Sequence, residues 1–587
     1  MTMLTSLPPA AILIASAVIL PILPRWARPV ALVVFSSFTL YVIYLLEPGT
    51  HLTFHFLSYE LVLLQVDRLS LAFGYVFALI AIFGAIYSFH IRDTVEQVCT
   101  LLYAGGALGV VFAGDLLTLY FFWEMMTWSS LYLIWARRTP EARAAGMRYV
   151  IAHLVGGSLL MGGILLHITQ TGSTIFSHMD GGVAANLILV GFWVNAAIPP
   201  LHFWLSDSYP EGTVTGSVFL SAFTTKTAVY TLIRGFAGWE ILVWAGAIMA
   251  VYGVFYAFLQ NDTRRILAYH IVSQVGYMVC GAGLGTAIAV NGATAHAFAH
   301  VLYKGLLFMG AGTVLYATGR SKLTELGGLV RLMPLALVLY MIGAFSISGV
   351  PGFSGFVSKS VVIYAAEHSN MGPVVMLLTL ASVGTFLSIS VKLPYGTWFG
   401  PERGPKPQPV PWNIYLGMIL TSAVCIAIGV YPSLLYNILP FAIDYHPYSA
   451  LHLAETSQLL IFTLLGSWLL IRKLKNEPHI ILDTDWFFRR SSPLVYMVFV
   501  TTISNAFAAV GAAASYLVRQ VITLSTNPVG YISSSSRALQ QRLAGSKKPS
   551  AELQKDSQEY DRPLVGALAF IMLLCFLVII FWLLISA

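Results

Sequence analysis

The chain has 587 residues, of which 57% are hydrophobic and 10% are charged. Soluble domains carry about a quarter charged residues, so the composition excludes a water-soluble globular protein. The net charge of +7 comes from basic residues in short loops between apolar segments, not from a basic patch with interleaved aromatic residues, which argues against nucleic-acid binding. The four cysteines are scattered singly, so neither an iron–sulfur cluster nor a disulfide framework is expected.

Long apolar segments recur from residue 9 almost to the C-terminus. Many reach about 20 residues, the length that a helix needs to cross the hydrocarbon core of a membrane. Only helices and closed barrels satisfy their backbone polar groups in lipid, and these segments lack the alternating polarity of barrel strands. The sequence therefore predicts an all-α, multi-pass membrane protein, with spans at 9–24, 29–46, 66–89, 97–113, 115–136, 147–169, 184–205, 213–235, 239–259, 265–285, 289–316, 333–367, 371–395, 411–432, 457–472 and 563–586.

Charged residues lie near the middle of several predicted spans. An ionisable side chain there costs roughly 2.5–3.5 kcal/mol on insertion scales, so a protein that retains several usually uses them. Glu124 can accept and release a proton, and Lys226, when desolvated, can alternate between its charged and neutral forms. An alternative, in which each side chain only locks helices together through an ion pair or a hydrogen bond, stays open.

A polar row follows in one later span. His296, His300 and Lys304 are spaced i, i+4 and i+8, which places them on one helical face at about 6 Å per step. This spacing is compatible with a water-linked proton relay. For His296 the alternative stays open that a histidine on a packed helix only bonds a neighbouring group. A zinc site at the two histidines is disfavoured, because no acidic third ligand lies nearby and Lys304 would repel the cation. We expect neither a metal nor a cofactor.

Two apolar segments are interrupted by residues that break helices. Pro199 and Pro200 interrupt the first, whereas Pro351 and Gly352 interrupt the second, shortly before Lys359. Proline removes a backbone hydrogen bond, so both helices should break near mid-membrane and free backbone groups beside the lysine. Such a pair in two halves of a chain is typical of inverted-repeat transporters, although ordinary kinks would leave the same pattern.

The segment 483–559 is less apolar than the rest. We interpret its first half as a helix that lies along the membrane surface or along neighbouring helices, and its second half as a cytoplasmic linker into the last span. A second interpretation, in which 493–523 crosses the membrane, stays open because this piece is apolar enough to insert.

Several motifs resemble one known family. They are FFWEMMTWSSLYLI, PPLHFWLSDSYPEGTVTGSVFLSAFTTKTAVYTLIRGF, RRILAYHIVSQVGYM, HAFAHVLYKGLLFMGAG and GVPGFSGFVSK. In this order they resemble the proton-conducting antiporter-like family, which includes Mrp-type sodium/proton antiporter subunits, antiporter-like subunits of respiratory complex I and relatives in membrane-bound hydrogenases. The resemblance covers residues 60–430. It implies about fourteen core helices with two inverted five-helix repeats and a broken helix in each.

The resemblance also implies residue roles. Glu124 would be the acid that pairs with a lysine, Lys226 and Lys304 the central relay lysines, His300 a connecting histidine, and Lys359 the lysine of the second half. Many family members carry a lysine just before the first proline, where this chain has Asn195. Asparagine orients water but carries no charge. Further candidates for relaying protons or orienting water are Asn195, His296 and His270.

The same resemblance suggests a domain organisation. The proposed segments are N-terminal helices at 1–96, a first inverted repeat at 97–235, a second at 236–395, further core helices at 396–475, a lateral helix with its linker at 476–562, and a terminal span at 563–587.

The functional prediction is an ion-translocating membrane protein, most similar to the D-type component of Mrp antiporters, that moves protons in exchange for Na⁺. The alternatives are a proton-pumping subunit of a complex I-type or hydrogenase-type oxidoreductase, and a non-conducting scaffold in a bicarbonate-accumulating complex. The expected partners are other membrane subunits of the same complex, protons, Na⁺ and the lipid bilayer, without nucleic acid. The expected location is the bacterial inner (plasma) membrane.

Overall fold

The computed structural model describes residues 6–56, 59–403, 406–470, 483–526 and 528–544. The chain divides into two compact units, Met1–Trp486 and Phe487–Ala587. In the first unit the helices are α1 Pro9–Ile19, α2 Arg28–Leu45, α3 Arg68–Tyr87, α4 Thr94–Phe112, α5 Leu116–Trp135, α6 Pro140–Thr171, α7 Gly182–Asn195, α8 Phe203–Ser208, α9 Gly216–Ala222, α10 Thr224–Phe236, α11 Glu240–Leu259, α12 Thr263–Leu284, α13 Ala287–Thr318, α14 Pro334–Ser348, α15 Ser354–His368, α16 Gly372–Thr385, α17 Trp412–Val430, α18 Ser433–Tyr436 and α19 Ala450–Leu470.

Among the described residues, ten helices are long and apolar enough to cross a membrane. Three shorter apolar helices, Pro9–Ile22, Gly182–Asn195 and Pro334–Ser348, accompany them. Aspartates begin several helices, because their side chains accept the first-turn N–H groups that have no partner within the helix. Asp67 caps α3, Asp115 caps α5 and Asp262 caps α12. The predicted all-α, multi-pass class is confirmed.

A small hairpin was not expected from the sequence. Strands β1 Gly49–Phe56 and β2 Tyr59–Val66 pair antiparallel between α2 and α3. The hairpin is attached to the start of α5, since the Val62 N–H donates to the Asp115 carboxylate at 2.7 Å and the Gly114 N–H donates to the Val62 carbonyl at 2.9 Å. Residues 52–56 of β1 alternate between apolar and polar side chains, a strand signal that the prediction of membrane spans did not use, whereas β2 contains the unbroken apolar run 61–64.

Three helices are interrupted in the described part of the first unit. The chain leaves α7 at Asn195 and resumes helix at Phe203, and it leaves α14 at Ser348 and resumes at Ser354. The third interruption, at Phe223 between α9 and α10, replaces the unbroken helix predicted for 213–235. No proline causes it. Side chains take over the freed backbone groups instead, as where the Tyr103 hydroxyl accepts the N–H of Thr224 at 3.1 Å.

Helices α12 and α13 form the centre of the first unit. Helix α13 packs against α3, α9, α12, α14, α15 and α17, and nearly every residue along it is buried. Glycines allow α11 to approach α12 closely: a side chain at Gly246 would come within 2.3 Å of the backbone nitrogen of Cys280. Polar side chains on α12 and α13 are therefore sealed from lipid by protein.

The helices of the C-terminal region are α20 Asp485–Val495, α21 Ile503–Thr526 and α22 Pro528–Leu543, with a π-helical stretch Tyr496–Thr502 between the first two. No residue of α21 is buried within the described part of this unit. The stretch Tyr496–Thr526 is long and apolar enough to cross a membrane. These two observations agree with a helix that lies along the membrane and equally with a helix that crosses it. The predicted terminal span, 563–586, lies outside the described residues.

Candidate functional site

Lys226 lies at the interruption between α9 and α10. Its side chain is fully buried. The ammonium group donates to the Ser221 carbonyl at 2.5 Å and to the Thr225 hydroxyl at 3.1 Å. The interruption leaves the Ser221 carbonyl without the backbone N–H group that it would accept in a continuous helix. The carbonyl is therefore available to the lysine. The break and the lysine thus form one local feature, which the sequence predicted only as a lysine within a regular helix.

The polar row of α13 lies in the centre of the protein. His296, His300 and Lys304 are fully buried, and the rings of the two histidines are 6.3 Å apart. Within the described residues, the Lys304 ammonium and both ring nitrogens of His300 have no hydrogen-bond partner. The Tyr303 hydroxyl lies 3.5 Å from His296 Nε2. These gaps are longer than direct proton transfer allows, so the side chains of the row are not directly connected in this structure.

Lys359 lies on α15, immediately after the second long interruption. Its ammonium group donates to the Ile347 carbonyl at 2.9 Å, in the last turn of α14, and it lies 5.1 Å from the centre of the Tyr277 ring. The neighbouring Ser358 hydroxyl is 3.3 Å from His296 Nδ1. The structure therefore brings the lysine of α15 and the histidine row of α13 together.

His270 of α12 is also fully buried, and neither ring nitrogen has a hydrogen-bond partner in the described ranges. Lys304, Lys359 and Lys392 lie near enough to act on it electrostatically. His270 therefore faces the same charged interior as the row of α13.

Glu124 is placed differently from the basic residues. It is half-buried, and its Oε1 atom is buried without a hydrogen-bond partner among the described residues. This oxygen occupies the space beside Gly157 of α6, where an added Cβ atom would come within 2.2 Å of it. Lys226 does not pair with Glu124, because its ammonium group is held by Ser221 and Thr225. Asn195 is 1% exposed at the end of α7.

A cluster at the first interruption was missed by sequence reasoning. The carboxylate of Asp483 lies 3.2 Å from His202 Nε2 and accepts hydrogen bonds from the hydroxyls of Tyr252 and Tyr269. All these contacts join the segment after residue 482 to α11, α12 and the start of α8. No local pattern could have signalled them, because the partners are more than 200 positions apart in the sequence.

Two further polar groups lie nearer the span ends. Lys392 donates to the Gln260 carbonyl at 2.8 Å, just after α11, and Glu96 accepts hydrogen bonds from the hydroxyls of Thr213 at 2.7 Å and Thr215 at 2.6 Å. Capping the carboxyl end of α11 is a sufficient structural role for Lys392. Among the described residues, no group of three or more His, Cys, Asp or Glu side chains is arranged to hold a metal ion.

Residues 113–388 match the family described as "NADH:quinone oxidoreductase/Mrp antiporter, TM". The uncharacterized protein MJ1309 of Methanocaldococcus jannaschii is 32% identical over 356 residues, which cover 56% of this chain and 73% of that relative. This chain belongs to the antiporter-like family. Its recognition from sequence motifs is therefore confirmed. The residues that match the family model, 113–388, include the three interruptions and all the predicted relay residues. The N-terminal helices and the C-terminal region lie outside this range.

Another antiporter-like relative is the Na(+)/H(+) antiporter subunit A1 of Staphylococcus aureus, 30% identical over 425 residues. That alignment covers 64% of this chain, but the chain spans only 53% of the relative. The comparison therefore does not separate an A-type component from a D-type one. It does agree with the predicted membership among antiporter-like subunits.

Solved structures share the fold. The Mrp complex from Dietzia sp. DQ12-45-1b contains a chain with a TM-score of 0.65 at 21% identity, matching 80% of this chain and 99% of that one. An archaeal membrane-bound sulfane sulfur reductase gives 0.67 at 25% identity, over 78% and 99%. Respiratory complex I from Thermus thermophilus gives 0.63 at 24% identity, over 73% and 98%. The protein is thus an antiporter-like subunit of the Mrp or complex I type.

Proposed function

We propose that this chain moves protons across the bacterial inner (plasma) membrane, in exchange for Na⁺, as the D-type component of an Mrp-like complex. The observation that carries the proposal is a set of basic side chains that are at most 3% exposed and have no acidic partner among the described residues. The members that we place in the proton path are Lys226, His300, Lys304 and Lys359.

Burial makes the charge of each member depend on its neighbours. An ammonium group removed from water without a counter-ion is costly, so each site is sensitive to nearby charge. Lys226 acts electrostatically on Lys304, and Lys359 acts on His296 and His300. A proton that arrives at one site therefore disfavours a proton at the next and promotes its release. Repeated along the row, this repulsion passes protons from site to site.

The proposed path has two halves, 97–235 and 236–395. Support comes from the interrupted helices, since α7 with α8 lies in the first half and α14 with α15 in the second. Each half also holds a lysine whose ammonium group is bonded to a carbonyl freed by an interruption, Ser221 for Lys226 and Ile347 for Lys359.

The proposed partners are other membrane subunits of the same complex. Glu124 is half-buried, and its neighbours on α5 are exposed, Phe121 by 66% and Trp128 by 55%. A carboxylate at mid-span that faced hydrocarbon would be costly. A second subunit that covers this face of α5 would remove that cost.

Two other functions have specific support. A proton-pumping subunit of an oxidoreductase is favoured by the fold shared with the sulfane sulfur reductase and complex I. A non-conducting scaffold is favoured by Asn195, an uncharged residue where the family resemblance implies a lysine.

The test is proton flux in inside-out vesicles that contain the whole complex. Lys359→Ala should abolish flux while the complex still assembles, because it removes the charge next to the second interruption. Lys322→Ala is the matched control, since its side chain is 60% exposed in a loop. Normal flux in Lys359→Ala would support the scaffold. Flux that needs a redox donor rather than a Na⁺ gradient would support the oxidoreductase.

A further inference from the structure

The first half of the proposed path has an acid but no basic partner in contact with it. Glu124 Oε1 is buried and, among the described residues, unpaired, and residue 195 is an asparagine, which cannot carry a proton as a charge. We propose that His153 of α6 is the proton carrier that faces Glu124 in this half. The inference rests on the proposed function and names a residue that neither the motifs nor the comparisons assign.

Helix geometry brings His153 and Glu124 to the same place. Glu124 Oε1 lies against Gly157, and His153 precedes Gly157 by one helical turn on the same face of α6. The backbone positions of His153 and Gly157 are therefore about 6 Å apart along the helix axis. The ring of His153 packs on Tyr149, on the side away from Gly157, so a short chain of water molecules would have to link it to the Glu124 carboxyl group.

The ring of His153 is free to take part in proton transfer. It is 1% exposed, and within the described part of the chain neither of its nitrogens has a hydrogen-bond partner. The amide of Asn195 is its polar neighbour, without the geometry of a full hydrogen bond, and the Asn195 Oδ1 atom is also unpartnered there. Buried polar groups are normally paired, so these three unmatched atoms mark a place where water or a transferred proton belongs.

Aromatic packing holds the ring but does not account for its chemistry. The ring centre of His153 is 4.2 Å from that of Tyr149 and 4.5 Å from that of Trp204. The Tyr149 hydroxyl is already bonded to Ser130 at 2.7 Å. A phenylalanine would fill the same slot at no polar cost, so packing alone gives no reason for a histidine.

The transfer balances with the groups present. The protonated carboxyl of Glu124 gives its proton, through water, to one ring nitrogen, which leaves a carboxylate beside an imidazolium. The other ring nitrogen then releases its proton to water beside Asn195, and the ring returns to its neutral form. One proton has moved from α5 towards the first interruption, and His153 is left as its other neutral tautomer. A flip of the imidazole ring restores the starting arrangement for the next proton.

The experiment measures proton flux of the whole complex carrying His153→Phe, which preserves packing against Tyr149 and Trp204. Flux should fall roughly tenfold or more, because a positioned acid–base group is lost. His167→Phe on the same helix is the matched control, since this histidine is only partly buried. If His153→Phe impairs assembly, proton flux is measured instead in His153→Gln, which keeps a polar side chain at this position. Normal flux in either assembled variant would overturn the proposal.

A second-site variant makes the test specific. Asn195→Lys added to His153→Phe should restore flux, because a lysine would supply the missing charge next to the same water. An assembled double variant that stays inactive would contradict the assignment. The outcome is separable from the proposed function: if Lys359→Ala loses flux while His153→Phe keeps it, only this inference fails.

Discussion

At the scale of single residues, the basic side chains of the proposed path share one feature. They are buried without an acidic partner among the described residues. Arg234 forms an ion pair with Asp67 at 2.5 Å, as expected for a charge that stabilises structure. Lys226 has no acid beside it, only a carbonyl and a hydroxyl among the described groups. A buried charge kept without a counter-ion reduces stability, so its retention is better explained by ion movement than by structure.

This difference makes a prediction for Lys226. Lys226→Met should abolish proton flux in vesicles while the thermal midpoint of the purified complex stays the same or rises, because an apolar side chain replaces an unpaired buried charge. Lys322→Met in the exposed loop should change neither quantity. A large fall in the midpoint of Lys226→Met would show that the lysine stabilises the fold instead.

At the scale of helices, small residues decide where polar groups can fit. The contact between α5 and α6 places Glu124 Oε1 at Gly157, whereas Gly162 on the same helix has no atom within 4 Å of the Cβ position. Interruptions serve a related purpose, since they free carbonyls that hold Lys226 and Lys359. Polar chemistry inside this bundle therefore depends on local departures from regular helix packing.

The two glycines of α6 give a matched pair of variants. Gly157→Ala should lower flux several-fold, because its methyl group displaces the Glu124 carboxylate. Gly162→Ala should leave flux unchanged and can stabilise the helix, since alanine favours helix by about 1 kcal/mol over glycine. Proton flux is measured for each variant in vesicles that contain equal amounts of the complex. Equal flux in the two variants would contradict the proposed place of Glu124 in the path.

At the scale of the whole molecule, Asp483 joins the segment after residue 482 to the interior. Its carboxylate contacts His202, Tyr252 and Tyr269 beside the first interruption. His202 and Tyr269 are buried and Tyr252 is partly buried, so loss of the carboxylate would leave these polar groups without their partner. Residues 483–486, the end of the first unit, are thus held at the same interruption that contributes Asn195.

Removal of this carboxylate should loosen the segment. Asp483→Ala is expected to lower the thermal midpoint of the purified complex and to reduce flux through the first half, because His202, Tyr252 and Tyr269 lose a shared hydrogen-bonding partner. Asp444→Ala is the control, because the Asp444 side chain is 99% exposed. The midpoint is read from a melting curve of the purified complex. An unchanged midpoint and unchanged flux in Asp483→Ala would mean that this carboxylate does not hold residues 483–486 in place.

The sequence alone determined the membrane class, the family, two of the three interruptions and the positions of the buried lysines. These depend on local properties, namely apolar length, proline and glycine, and a charge within a span. Only the tertiary structure decided the interruption at Phe223, the hairpin, the contact of Asp483 with His202, and the position of His153 one turn from the neighbour of Glu124. Each of these depends on the packing of segments distant in the chain, which no local pattern encodes.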